Sequence, residues 1–271
     1  MDEKLQRRVQ RYGWDKAAAF YERSWQAQLE PAQERLLDLA QIDLGTKVLD
    51  AACGTGLVTF RAAGLTGPEG SVTGTDISGQ MVEAARERAI ACGTKNVDFE
   101  RMDAEDLKFA EGSFDRVVCA LGLMYLPDPQ KAIREFYRVL RPGGRAVAAV
   151  WGERAKCGWA EIFPIVDSRV QSEVCPMFFT LGTGHTLSQS FTAAGFREID
   201  TKRLRSRLLY ETAEQACEAA FAGGPVALAY DRFSRDTKDK AHKEYLVSLE
   251  PYRAGESYSV PGEFVVVVGV K

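Results

Sequence analysis

Apolar and polar positions along this chain change period repeatedly. Short β-rich runs fall at 46–51 (TKVLDA), 71–76 (SVTGTD), 97–102, 114–121 (FDRVVCAL) and 145–151 (RAVAAVW). Between them lie stretches with helical spacing at 57–63, 79–92 and 132–140. In 79–92, Met81, Ala84, Ala85, Arg88 and Ala89 share one face, with the Arg88 stem at its edge. The helix at 132–140 is expected to stop at Arg-Pro-Gly-Gly. Strands alternating with helices predict parallel pairing through right-handed crossovers, and runs such as VVCAL and AVAAV suit strands covered on both faces.

Downstream the pattern predicts a helix at 187–194, a strand at 196–209, helical character over 211–258 and a final strand in FVVVVGV. Two strands separated by a helical insertion can pair antiparallel. A helix is expected at 14–40, and with 153–186 and the insertion it forms a lid over the carboxyl edge of the sheet. The fold class is therefore α/β: a doubly wound, Rossmann-like, mostly parallel sheet with a C-terminal antiparallel hairpin and helical lid insertions. The alternating charges of KRLRSR, 202–207, suit an edge strand, where charge deters aggregation.

Composition narrows the function. With 45 % hydrophobic residues, the chain can bury a sizeable core. A formal net charge of -3 provides no global field towards nucleic acid or an anionic membrane. FVVVV is too short to cross a bilayer, and the charged start has no apolar signal core, so a cytoplasmic location is expected. The six cysteines form no CxxC pair, and His185 and His242 lie far from paired ligands, which argues against a disulfide framework or structural zinc.

Candidate chemistry gathers at strand ends. Gly54 and Gly56, in the turn after the first strand, remove Cβ atoms where a ligand would approach the backbone. The next helix offers free N–H groups to an anion. Asp76 ends the second strand, where a carboxylate can accept hydrogen bonds from both ribose hydroxyls. Asp103 follows the third strand, placed to accept from an adenine amino group. Each alone reads as a turn or cap residue; together they indicate a nucleoside. A dinucleotide site prefers a third glycine, but Thr59 stands there, and Asp50 inside the turn would repel a pyrophosphate. A ligand carrying an ammonium or sulfonium is favoured over NAD.

VLDAACGTG, then TGTDIS with QM, then the series from MDAEDLKF through GSFDRV to REFYRVLRPGG, resembles the class I S-adenosylmethionine-dependent methyltransferases. Within these it resembles the small-molecule branch of ubiquinone and menaquinone C-methyltransferases. The resemblance covers about 45–152 and implies a seven-stranded sheet, S-adenosylmethionine as cofactor and one methyltransferase domain over 1–271. It implies that Asp50, Ala51, Ala52, Cys53, Gly54 and Gly56 line the methionine portion and Asp76 holds the ribose. Ile77 and Met81 would pack near the adenine, Asp103 and Ala104 contact it, and Ala120 and Leu121 face the reactive end. Ala51 stands where this branch often has glycine.

The acceptor side is less defined. Tyr21 and Trp25 share a helix face, in an N-terminal segment that also holds Tyr12 and Trp14. Tyr125 and Trp151 end loops on the functional edge, and Phe178 and Phe179 suit an apolar wall or the core. His185, in a glycine-rich loop, is a candidate general base or a helix-flanking polar residue. His242 suits a solvated helix face. Methyl transfer needs alignment and exclusion of water more than side-chain chemistry, so neither metal nor catalytic triad is expected. The expected function is methyl transfer to a small organic acceptor, without nucleic acid as partner or stable membrane insertion. The alternatives are a non-catalytic cofactor-binding regulator and an NAD-dependent oxidoreductase.

Overall fold

In the computed structural model, described for residues 3–171, 175 and 177–271, one twisted sheet runs through the molecule. Its long strands are β1 (Lys47–Ala51), β2 (Ser71–Asp76), β3 (Val97–Arg101), β4 (Phe114–Ala120), β5 (Leu140–Trp151), β6 (Arg197–Tyr210) and β8 (Ser257–Val270). Their order is β3-β2-β1-β4-β5-β8-β6, and the two-residue β7 (Arg253–Ala254) pairs with β8 off that path. Neighbours from β3 to β5 pair parallel, whereas β8 runs antiparallel to both β5 and β6. The doubly wound expectation and the C-terminal hairpin hold. Chain direction across the sheet reverses between β1 and β4, the switch point at which such sheets open a crevice beyond their carboxyl ends.

Helices α2 (Leu57–Thr66), α3 (Gly79–Cys92) and α4 (Pro129–Val139) link the parallel strands. The Ser78 hydroxyl caps α3 by accepting from Met81 N at 3.1 Å. Asp128 caps α4, with Pro129 at its first position, and each such cap contributes about 1 kcal/mol. Helix α3 buries Met81, Val82 and Ala85, a narrower stripe than the expected one. Arg-Pro-Gly-Gly is not a free break. Strand pairing begins at Leu140, opposite Phe114, and crosses an irregularity before Arg116 meets Arg145. Gly143, at φ 76°, lets the chain bend there while remaining hydrogen-bonded to Lys271.

The C-terminal half departs from its expected pattern. The helical region breaks into α7 (Ala213–Cys217), a π-turn (Glu218–Ala222), α8 (Ala227–Asp231) and α9 (Arg235–Leu249). Two shorter helices precede it, α5 (Ile162–Asp167) and α6 (Thr186–Ala193). Strand β8 starts at Ser257, earlier than FVVVVGV suggests, because it pairs along the whole of β6 as far as Tyr210↔Tyr258. Strand β6 is the sheet edge expected for KRLRSR. His242 is not on a solvated face: its ring stacks on Tyr230, and its Nε2 lies 2.9 Å from the Tyr230 hydroxyl. Residues 172–174 and 176 of the expected lid segment lie outside the described residues.

Helix α1 (Glu3–Ala40) is longer than the expected 14–40 and holds to the body in two ways. Its second half buries Trp25, Leu29, Ala32, Leu36, Leu37 and Ala40, each 6 % exposed or less. That is an apolar stripe of helical period, and a large side chain on it contributes about 1.5–3 kcal/mol. The first half is held by polar bonds. Arg7 pairs with Asp103 (3.1 Å) and with buried Glu105. Asp15 accepts from the Ser78 hydroxyl (2.6 Å), and Glu22 pairs with Arg88 (2.5 Å). Residues 3–13 carry little apolar periodicity because this docking is ionic.

Candidate functional site

A cleft with about 980 Å³ of empty space, part of it open to solvent, lies beyond the carboxyl ends of β1, β2 and β4. The turns that floor it are tightly constrained. Ala52, after β1, and Leu121, after β4, both take left-handed backbone conformations, at φ 58° and 61°. Non-glycine residues held this way cost on the order of 1–3 kcal/mol each. They are sustained by close contact between the two turns: a Cβ on Gly122 would lie 2.5 Å from that of Ala52. Leu121 N donates to Ala149 O (2.8 Å) and Cys53 N to Thr75 O (2.9 Å), so neighbouring strands lock both turns.

Asp76 organises the β1 turn. Its carboxylate accepts from Gly54 N and Ser78 N, each at 2.9 Å, and the residue lines the cleft. Burial raises its pKa to about 6; the two backbone donors oppose the rise and the charge of Asp15 adds to it. Asp50 lies beneath the turn, 1 % exposed. One of its oxygens accepts from the Thr59 hydroxyl at 2.6 Å, and the other is buried with no hydrogen-bond partner among the described residues. Burial lifts the Asp50 pKa to about 7, opposed by the Thr59 bond and reinforced by the charge of Asp76. Two buried carboxylates, one with an unpaired oxygen, suit a positively charged ligand.

Most of the expected cofactor residues meet at this cleft. Ala52, Gly54, Asp76, Ile77 and Met81 line one end, and Asp103, Ala104, Ala120 and Leu121 continue the wall. Asp103 is already engaged: one oxygen accepts from Glu105 N (2.9 Å) and the other faces Arg7 (3.1 Å). Asp50, Ala51, Cys53 and Gly56 are not brought to the cleft. Ala51 is wholly buried, Cys53 packs with Val82, Ala85 and Phe99, and a Cβ on Gly56 would strike Phe60 at 2.7 Å. These four shape the turn from behind.

The other end is aromatic. Tyr21, Tyr125 and Trp151 line it as expected, joined by Trp14, Trp25, Trp159 and Phe178. Trp14 receives both tyrosine rings edge-on, Tyr21 at 5.8 Å and Tyr125 at 4.9 Å between centroids. Trp159 sits 4.8 Å from Trp151 and 5.6 Å from Phe178. The Trp25 indole donates to Gly223 O at 3.0 Å. His185 is a correction: it is exposed at the start of α6 and does not line the cleft. Among the described residues no histidine, lysine or cysteine lines it, and no cluster suited to a metal ion is present.

Several lining residues lacked an expectation. Arg7, Gln10 and Leu29 share one face of α1 with the expected Trp14, Tyr21 and Trp25, at steps of three, four or seven, a signal obscured by the polar residues between them. Trp159 and the Gly224-Pro225 bend sit in irregular segments and carry no periodic signal.

Residues 48–144 match the family described as Methyltransferase domain. The demethylmenaquinone methyltransferase of Listeria monocytogenes serotype 4a is 36 % identical over 131 residues, 48 % of this chain and 55 % of that protein. The ubiquinone/menaquinone biosynthesis C-methyltransferase of Brucella canis is 33 % identical over 190 residues, covering 68 % of each chain. The chain thus spans about half the length of the first relative and about two thirds of the second. In fold it is similar to the YcgJ protein of Bacillus, with a TM-score of 0.62 and 19 % identity over 89 % of this chain and 98 % of that one. The chain belongs to the class I S-adenosylmethionine-dependent methyltransferases. The cofactor of that family, S-adenosylmethionine, fits the residues present. The Asp76 carboxylate, which lines the cleft, can accept from ribose hydroxyls, the buried charge of Asp50 beneath the turn suits a cationic group above it, and the Gly54 turn, at φ 56°, leaves the backbone bare.

Proposed function

We propose that this protein transfers a methyl group from S-adenosylmethionine to a small, apolar, ring-bearing acceptor. One observation carries the reading: a single cleft joins a carboxylate-lined nucleoside end to a chamber walled by aromatic rings. Ala52 and Gly54 would line the methionine portion, with the charge of Asp50 acting from beneath the turn; Asp76 would hold the ribose, and Ile77, Met81 and Ala104 the adenine. When bound, the cofactor supplies a methyl group already activated on a sulfonium. This chain's residues then act chiefly by placement, since alignment alone supplies effective molarities of about 10⁵–10⁸ M. Trp25, Trp151 and Trp159 would exclude water and hold a flat acceptor against Leu121 and the turn below it.

The names of the relatives favour a quinol or related phenolic acceptor over an amine, and the lining agrees in chemistry. A cationic amine would find its carboxylate partners only at the nucleoside end. The reading is tested by incubating the protein with labelled S-adenosylmethionine and a panel of naphthoquinols, phenols and amines. S-adenosylhomocysteine should form with the quinols or phenols. Binding of the cofactor with no turnover across the panel would instead indicate a regulator that kept the nucleoside site.

A further inference from the structure

Tyr21 comes from α1 and Tyr125 from the short 3-10 turn after β4, yet both rings pack edge-on against the single indole of Trp14. Each is half-buried and lines the cleft. Tyr21 also covers the nucleoside turn, since a Cβ placed on Gly54 would lie 3.6 Å from its ring. Tyr125 is braced on its other side by Phe178, at 5.4 Å. Among the described residues neither phenol hydroxyl has a hydrogen-bond partner, although the rings themselves are fixed. The pair stands where the carboxylate end gives way to the aromatic chamber.

We propose that Tyr21 and Tyr125 form a two-phenol site that receives an oxygen of the acceptor and favours its ionised form. The inference rests on the methyl-transfer reading and supplies what the cleft otherwise lacks. A phenol or enol acceptor becomes a good nucleophile on losing its proton, and the described lining offers no histidine or lysine to take it. Two fixed neutral donors lower the cost of the oxyanion, so the proton can leave to solvent. Tyr21 and Tyr125 remain protonated donors across the working pH range, because burial raises the pKa of both. The charges of Asp76 and Asp50 add to the rise at Tyr21, and Cys175 and Tyr21 add to it at Tyr125. With its oxygen held between them, the acceptor would attack through the carbon beside it: a C–C bond forms as the S–C bond breaks, S-adenosylhomocysteine leaves, and the ring carbon loses its proton to solvent.

The test uses protein saturated with S-adenosylhomocysteine and two probes of similar shape, 4-nitrophenol and nitrobenzene. The wild type should bind 4-nitrophenol at least about tenfold more tightly than nitrobenzene, the equivalent of one strong hydrogen bond. Its visible band should show the bound probe ionising about one pH unit below the free probe. Tyr125→Phe should reduce both effects, and the Tyr21→Phe, Tyr125→Phe double variant should remove them. S-adenosylhomocysteine affinity should persist in Tyr125→Phe, which also verifies folding. Equal affinity for the two probes, or an unchanged spectral shift in the double variant, would overturn the proposal. Probe discrimination without turnover of any quinol would sink the enzymatic reading and leave the phenol site standing.

Discussion

The hydroxyl of Thr59 donates to one oxygen of Asp50 at 2.6 Å, and the second oxygen of that buried carboxylate has no hydrogen-bond partner among the described residues. Burial raises the Asp50 pKa to about 7, from an ordinary 3.8, against the lowering effect of the Thr59 bond. A group raised in this way binds its proton more tightly folded than unfolded. Its contribution to stability is complete below about pH 4 and is lost as pH rises to about 7. Asp50→Asn keeps the Thr59 bond and removes the buried charge. Without ligand at pH 8, it should stabilise the protein by about 1–4 kcal/mol, with less effect at pH 5. Thermal melts at the two pH values measure this, and an identical gap at both would contradict it.

Cofactor binding should carry the opposite pH signature. A cationic ligand favours the ionised forms of Asp50 and Asp76, whose pKa values stand near 7 and 6. S-adenosylmethionine affinity should rise between pH 5.5 and pH 8, by up to about tenfold per pH unit for each proton released. Calorimetry in buffers of different ionisation enthalpy counts those protons. A pH-independent affinity with no proton release would mean that the two carboxylates do not face the cation.

Asp76→Ala should weaken S-adenosylmethionine binding by about 10- to 100-fold, because two charge-assisted hydrogen bonds disappear. The same change frees Gly54 N and Ser78 N, so the turn should also loosen. Asp76→Asn should fall between the two. Titration of the three proteins ranks them, and wild-type affinity in Asp76→Ala would move the ribose elsewhere.

Arg7→Gln leaves Glu105, 1 % exposed, without its charge partner. Stranding a buried carboxylate is costly, on the order of 3–5 kcal/mol before allowance for the partial exposure of Arg7. The Tm should fall, and amide exchange should quicken in the first turns of α1. Adding Glu105→Gln should recover part of the loss. Additive losses in the double variant would show that the two residues do not act as a pair.

His185→Ala should leave cofactor binding and turnover within about twofold of wild type, as expected of a surface change away from the cleft. Steady-state kinetics with any accepted substrate decides this, and a large fall in kcat would restore His185 as a catalytic candidate.

Sequence and structure agree where the physics is local. Asp76 and Asp103 were legible because each stands at or just past the end of a β-rich run, where a parallel sheet opens its crevice. The β6–β8 hairpin was legible from two β-rich runs that could only meet by pairing. What escaped depends on distant contacts. Residues 3–13 are helical because Arg7 finds carboxylates near residue 103, and no local pattern reports that. Trp159 is held by other rings within an irregular stretch. Ala52 and Leu121 adopt left-handed backbones because two turns collide, which neither alanine nor leucine announces. Of the two readings of His185, the exposed N-terminal position at α6 fits the helix-flanking one, since the glycine-rich loop around it faces solvent.

Helix α1 supplies walls to both ends of the cleft, with Arg7 beside the adenine-side loop and Trp25 in the aromatic chamber. The molecule consequently has a single roof over two rooms. A change that loosens α1 is therefore felt at both ends of the cleft.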